Sequence, residues 1–366
     1  MNKKKFDLCL VIPDIGGGGT QRVLMNLVKN WLNQGKKICV ITFFNEKADF
    51  FELPIAVSRK SINFTGESKN LVVAIWNNLR RVKSLRSMIK AYQPKLVLSF
   101  LGTTNVLTIL ATFFMQIPVI VSERSDPTRD SLGNIWDKLR HLLYRYADIV
   151  TANSHGAIVA LEKFVDAGKL KYVPNPVCIE EPFRPLTYSF PAILAVGRLS
   201  YEKGHDILLS AFSKFIHQFP QWRLVIVGDG ELRNKLKQFA VNLNIDKYII
   251  WGGMQLDIFS YYNAATIFVM PSRYEGTPNA LLEAMGCGLP VIVSNASSGI
   301  LQFVKNEETG LVVPVEEVET LYLAFCRLAN DELLRKRLGE KARQKIKMET
   351  QCAYELWDEV LNINRY

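Results

Sequence analysis

The sequence predicts an α/β fold of two parallel-sheet domains with a cleft between them, and three observations carry the expectation. Short apolar runs alternate with helix-length stretches from Leu8 onward, the pattern of strand and crossover helix. The alternation stops at a Pro-rich passage and then restarts. A chain of 366 residues also suits two domains at the usual length of about 150 residues each.

Element by element, the first strand is expected at 8–12, followed by a glycine loop and a helix over 23–32. Strands recur at 38–44, 96–100, 119–121 and 149–152, with helices over 70–92, 104–115, 135–147 and 156–165. The passage Val173-Pro174-Asn175-Pro176 through Glu181-Pro182-Phe183-Arg184-Pro185 has the composition of a stiff extended linker. The boundary is expected there, giving a first domain of 1–180 and a second of 181–348. The second runs through strand 193–196, helix 204–217, strand 224–227, helix 231–243, strands 248–251 and 267–270, helix 279–286 and strand 291–293. From about 316 to 363 the composition is helical throughout. Ligands in such sheets bind beyond the carboxyl ends of the strands.

Composition removes several classes. At 48% hydrophobic and 22% charged, with 22 Gly and 15 Pro, the chain buries sizeable cores and is neither disordered nor collagen-like. Six scattered cysteines with no CxxC pair argue against a zinc ribbon or a disulfide framework and point to a reducing cytoplasm. The first apolar run stops at Pro13, unlike a signal peptide. The most apolar stretch, 106–121, is broken by Gln116 and Pro118 and falls short of the roughly 20 residues a membrane span needs.

Charge is divided unevenly. Residues 1–190 carry 26 Lys+Arg against 15 Asp+Glu, or +11, so the remainder carries −1 of the total +10. Between Arg59 and Lys95 nine basic residues face the single acid Glu67. Such a patch attracts phosphate, whether of nucleic acid, an anionic lipid surface or a lipid diphosphate. In the helix at 70–92, Val72, Ile75, Trp76, Leu79, Val82, Leu85 and Ile89 form a stripe expected to pack on the core. Arg80, Arg81, Lys83, Arg86 and Lys90 lie mostly off the stripe.

Three motifs carry chemistry. Gly16-Gly17-Gly18-Gly19 follows the first strand, where backbone N–H groups either receive phosphate or merely form a flexible turn; Gln21 stands where a dinucleotide fingerprint would need glycine. Gly197-Arg198-Leu199-Ser200-Tyr201-Glu202-Lys203-Gly204 places two cations at a strand's carboxyl end, within reach of one diphosphate. The third is Pro271-Ser272-Arg273-Tyr274-Glu275-Gly276-Thr277-Pro278-Asn279, running into Ala280-Leu281-Leu282-Glu283-Ala284-Met285. Here Glu275 occupies a turn, Gly276, Thr277, Pro278 and Asn279 open a helix, and Glu283 lies about one turn inside. In its apolar setting Glu283 suits a ribose diol; the other reading is an ordinary surface glutamate.

Taken together, the two glutamates, the GRL-x-x-EKG passage, Val227-Gly228-Asp229-Gly230-Glu231-Leu232, and the glycine loop running into Gln21-Arg22-Val23 resemble glycosyltransferase family 4 over almost the whole chain. The resemblance implies retaining enzymes of GT-B architecture, two Rossmann-like domains facing a cleft. It implies that the first domain binds the acceptor, the second the nucleotide sugar, and that a terminal helix, 349–366, returns toward the first. By the same resemblance Arg198 and Lys203 neutralise the donor diphosphate beside Gly197. Glu283 holds the ribose, and Glu275 with Gly276, Thr277, Pro278 and Asn279 surrounds the sugar. Gly18, Gly19, Arg124, Arg80, Arg81 and Lys83 are the candidates for the acceptor side.

No DxD occurs in the sequence, so protein cations rather than a metal are expected to offset the leaving diphosphate, with no cofactor. The expected partners are a nucleotide-sugar donor, most simply UDP-linked, and a polyprenyl-diphosphate-linked or lipopolysaccharide acceptor. An anionic membrane surface is the third, at the cytoplasmic face of the inner membrane. Two departures stand out: Gln21 replaces a carboxylate of many relatives, and Arg124 stands where numerous relatives place histidine. Of His141, His155, His205 and His217, none has metal-ligand spacing, and only His155 falls at a strand's carboxyl end. Competing classes are a nucleotide-sugar epimerase of the same architecture and a nucleic-acid-binding protein, the latter weakened by aromatics that do not interleave with the cations.

Overall fold

The structure, a computed structural model, describes residues 5–45, 49–63, 71–124, 127, 131–179 and 186–362. The chain forms two compact units, Met1–Pro176 with Cys352–Tyr366, and Val177–Gln351.

In the first unit, β1 (Phe6–Ile12), β2 (Ile38–Thr42), β3 (Ser58–Ser61), β4 (Pro94–Phe100), β5 (Val119–Glu123), β6 (Ile149–Ala152) and β7 (Leu170–Tyr172) form one sheet in the order β3-β2-β1-β4-β5-β6-β7. Every pairing is parallel, with Leu10 of β1 between Val40 and Leu98. Side chains alternate across the strand. Leu8, Leu10 and Ile12 face α1 (Gly19–Asn33) through Val23, Leu24, Leu27 and Trp31. Cys9 and Val11 face α2 (Leu71–Tyr92) and α3 (Gly102–Thr112) through Leu85, Ile89, Leu107 and Ala111. Around the edge lie α4 (Asn134–Leu143) and α5 (His155–Leu161).

The second unit repeats the plan. Its strands are β8 (Ala192–Val196), β9 (Arg223–Val227), β10 (Ile249–Gly253), β11 (Ile267–Met270), β12 (Val291–Ser294) and β13 (Leu311–Val313), in the parallel order β10-β9-β8-β11-β12-β13. Between them run α6 (His205–Gln218), α7 (Arg233–Asn242), α8 (Ile258–Ala264), α9 (Asn279–Gly286) and α10 (Ser298–Leu301). Then follow α11 (Val318–Asn330) and α12 (Glu332–Leu361). In each sheet the strand order reverses once, between β1 and β4 and between β8 and β11. The crevice at such a reversal is where open sheets hold ligands.

Three differences from the sequence reading have physical causes. The stripe of α2 is not core throughout: Leu85 and Ile89 are buried, but Val72 is 76% exposed, Ile75 55%, Trp76 57% and Leu79 58%. A 22-residue helix is about 33 Å long, and among its described side chains the fully buried apolar ones lie in its last turns. The start of the Pro-rich passage is packed rather than extended over the surface: Val173, Asn175 and Val177 are buried, and Asn26 Nδ2 donates to the Pro176 carbonyl at 3.2 Å. Residues 180–185 of that passage lie outside the described residues. The C-terminal helix begins at Glu332 rather than at 349, and its Trp357 is buried edge-on to Trp31 at 6.0 Å.

Candidate active site

The loops after β8 and β11 lie on either side of the reversal in the second sheet, and they hold both cations and the first glutamate of the sequence reading. Gly197-Arg198-Leu199-Ser200 leaves β8, with Leu199 buried as its anchor. A single 3-10 turn, Tyr201–Lys203, follows, and Gly204 at φ +65° starts α6. A Cβ on Gly204 would come 2.1 Å from the Pro271 carbonyl oxygen, so only glycine permits this approach of the two loops.

That approach brings Lys203 to Glu275. Lys203 Nζ is 2.5 Å from Glu275 Oε1, and Ser272 Oγ donates to the same oxygen at 2.7 Å. Oε2 of Glu275 has no hydrogen-bond partner among the described residues. Arg198 is exposed, and its side chain makes no hydrogen bond or ion pair to any of them. Thus one cation is already matched by a carboxylate while the other is open to an anion. Gly276, Thr277 and Pro278 lead into α9, whose first residue is Asn279.

Glu283 is not a surface residue. It is 6% exposed on α9, and Tyr262 Oη of α8 donates to its Oε2 at 2.9 Å. Such burial requires hydrogen bonding of the carboxylate. Its charge also acts on Cys287 one turn later, where the thiol's own burial first and Glu283 second push it up to about 12.

Three residues here were not singled out from sequence. Tyr262 is one. Arg273 is the second: its guanidinium donates to both carboxylate oxygens of Asp206, at 2.9 and 2.6 Å, to the Tyr201 carbonyl at 2.7 Å and to Glu316 at 2.8 Å. Asp206 and Glu316 together raise Arg273 well above the ordinary arginine value; burial raises Asp206, but the hydrogen bond and charge of Arg273 together with backbone N–H groups hold it below the ordinary carboxylate value. The third is His205, almost fully buried, with Nδ1 lacking a partner among the described residues; burial, then the nearby Lys203 charge, drive it down to about 4. A sequence signal existed only for Arg273, as a cation within the densest motif.

In the first unit the glycine loop lies at the reversal between β1 and β4, with Gly18 preceding Gly19, the first residue of α1. Asp14 Oδ1 accepts from Gly16 N and from Gln21 Nε2, both at 2.8 Å. The amide at position 21 is therefore a donor to Asp14; a carboxylate there would meet another carboxylate. Arg124, at the end of β5, is turned inward: Nη1 donates to Asn175 Oδ1 at 2.6 Å, and its guanidinium lies 5.4 Å from the Phe100 ring and 5.2 Å from Trp357. Burial pushes it down to about 9. His155 opens α5 and stacks on Tyr172 at 4.4 Å. On α2, Arg80 lies 5.3 Å from the Trp76 ring, Lys83 is exposed, and Arg81 Nη1 donates to Asn78 at 3.1 Å. Arg86 is committed internally, to the Ala111 and Phe113 carbonyls at 2.9 and 2.6 Å.

Two family descriptions match successive parts of the chain: Glycosyltransferase Family 4 over residues 17–181 and Glycosyl transferases group 1 over 184–345. The chain is a Glycosyltransferase Family 4 domain followed by a Glycosyl transferases group 1 domain. Among relatives of this glycosyltransferase, one from Campylobacter jejuni is 26% identical with 93% of each chain covered. Its name describes an α-1,4-N-acetylgalactosaminyltransferase acting on an undecaprenol-diphosphate-linked glycan. An Escherichia coli enzyme, named a UDP-galactose:GlcNAc-diphosphoundecaprenol α-1,3-galactosyltransferase, is 28% identical over 72% of this chain and 75% of its own. Anabaena HepE, solved with UDP and glucose, superposes with a TM-score of 0.80 at 17% identity, covering 98% of this chain and all of its own. The fold is GT-B and the enzyme class is glycosyl transfer.

Proposed function

We propose that this glycosyltransferase moves a hexose or N-acetylhexosamine from a UDP-sugar to a polyprenyl-diphosphate-linked or lipopolysaccharide glycan, with retention of configuration and without a divalent metal. The observation that carries the reading is the Lys203–Glu275 pair held at the strand-order reversal beside the exposed Arg198. When the bond between the anomeric carbon and the diphosphate breaks, its electron pair goes to the phosphate oxygen. Negative charge grows there. Arg198 and Lys203 meet that charge, at about 1.5–3 kcal/mol per charge-assisted hydrogen bond. Glu275, through Oε2, faces the sugar, and Glu283, oriented by Tyr262, takes the ribose. The names of the Campylobacter and Escherichia relatives support a lipid-linked acceptor, and the UDP in HepE supports the nucleotide.

No helix among the described residues is long and apolar enough to cross a membrane. The enzyme then works peripherally at the cytoplasmic face of the inner membrane, bound through α2, where exposed Trp76 and Leu79 adjoin Arg80 and Lys83. A thermal-shift panel of UDP-, GDP- and dTDP-sugars identifies the donor, because a ligand of the folded state raises Tm. The donor so found is then incubated with undecaprenyl-diphosphate-linked oligosaccharides. The expected result is a Tm rise with UDP-sugars and sugar incorporation into the lipid-linked product. Donor isomerisation without incorporation would overturn the reading.

A further inference from the structure

Arg273 lies outside the set of groups assigned to substrate above, yet it makes more charged contacts than any of them. It belongs to the loop that carries Glu275, while two of its acceptors, the Tyr201 carbonyl and Asp206 in the first turn of α6, flank Lys203 in sequence. Its backbone N–H adds a fourth link, donating to the Glu202 carbonyl at 2.8 Å. Its guanidinium also stacks 4.1 Å from the Tyr201 ring. The remaining nitrogen reaches Glu316, a non-glycine residue at φ +64° in the loop after β13. Three segments at the carboxyl ends of β8, β11 and β13 thus meet on one side chain that is 9% exposed.

Two consequences follow from this geometry. The position of Lys203 Nζ relative to Glu275 depends on how the two loops are held, and Arg273 is the cross-link between them. Charge matters as well: Arg273 balances Asp206 and Glu316, which without it would set two uncompensated carboxylates near the place assigned to a diphosphate. We propose that Arg273 is a positioning residue of the donor site, fixing Lys203 for the β-phosphate through its clamp on Tyr201, Asp206 and Glu316. The inference rests on the diphosphate reading of Arg198 and Lys203 given above.

Calorimetric titration of UDP and UMP into the full chain separates that role from general support of the fold. Arg273→Met is expected to weaken UDP about tenfold while changing UMP less than about threefold, because only UDP carries the phosphate that Lys203 meets. Arg273→Lys is expected to behave as Arg273→Met, since one ammonium cannot make the bidentate pair with Asp206 and also reach Glu316. Lys203→Ala, costly for UDP in the wild type, should cost less than about twofold in the Arg273→Met background, the non-additivity of groups acting as one unit. Should Arg273→Met fail to fold, Asp206→Asn removes the bidentate acceptor and is expected to show the same UDP-selective loss. Equal losses for UDP and UMP, rescue by lysine, or additive effects with Lys203→Ala would overturn the proposal. A wild type that binds neither UDP, GDP nor dTDP would instead overturn the donor-site reading itself.

Discussion

At the scale of single residues, the two cations of the GRL-x-x-EKG passage differ in their surroundings, and the difference is testable. Arg198 is exposed and unpaired among the described residues, whereas Lys203 neutralises Glu275, whose side chain is 8% exposed. Both Arg198→Ala and Lys203→Ala are expected to lower transfer by two or more orders of magnitude. Only Lys203→Ala should also lower Tm, because it leaves a buried carboxylate without its cation; unchanged Tm in that variant, or near-normal turnover in either, contradicts the assignment. His205 gives a pH signature. A buried histidine held at about 4 instead of 6.5 stays neutral in the folded state while the unfolded chain takes up a proton. Its contribution is therefore complete above pH 6.5 and falls as pH drops toward 4, a change worth roughly 3 kcal/mol. Urea titrations at pH 7.5 and 4.5 should show a smaller pH effect in His205→Gln than in wild type; identical pH dependence would remove His205 as its source. None of this was legible in the sequence beyond the motif itself: a histidine beside Lys203 reads the same whether its ring is buried or exposed, and Tyr262 stands 21 positions from the Glu283 it orients.

At the scale of elements, strands with apolar composition were legible and polar or very short ones were not. β3 reads Ser-Arg-Lys-Ser and is a strand because it pairs with β2 at the sheet edge, a tertiary cause that composition does not record. β7 and β13 have three residues each, below the length at which periodicity speaks. In the second unit α6, α7 and α9 are legible to within about two residues at each end, because Gly204 and the Pro278-Asn279 step mark where two of them begin. α2 shows the opposite failure. Its three- and four-residue apolar spacing runs its whole length, yet spacing does not say where the sheet beneath it ends. Among its cations Arg86 stands apart as a structural residue, satisfying two carbonyls at the end of α3, which helix termini otherwise leave unpaired. Arg86→Ala is expected to cost about 1–3 kcal/mol of stability in urea titration, while Arg80→Ala and Lys83→Ala leave it unchanged. Equal stability across the three would assign Arg86 to the surface set.

At the scale of the whole molecule, charge and apolar exposure coincide. The excess of +11 lies within residues 1–190, and α2 contains no acidic residue. Either feature alone is ordinary. An exposed cationic helix face is merely soluble, and scattered exposed apolar residues are normal on any surface. Together, Trp76 and Leu79 next to Arg80 and Lys83 make the pattern of a helix lying in a bilayer interface, where each cation near an anionic surface adds about 1 kcal/mol and the apolar side chains add burial. The two contributions respond differently to salt, since the Debye length shrinks from about 10 Å at 0.1 M to about 3 Å at 1 M while apolar burial is not screened. Wild type is therefore expected to sediment with anionic vesicles at low salt and to be only partly released at 1 M. Replacing Arg80 and Lys83 by Glu should abolish binding at low salt. Trp76→Ser with Leu79→Ser should leave low-salt binding and make release at 1 M complete. UDP affinity should not change in any of these variants, because the residues assigned to the donor lie in the second unit. Equal binding to neutral and anionic vesicles, or salt release identical in wild type and the serine variant, would reduce the exposed half of α2 to a solvated surface.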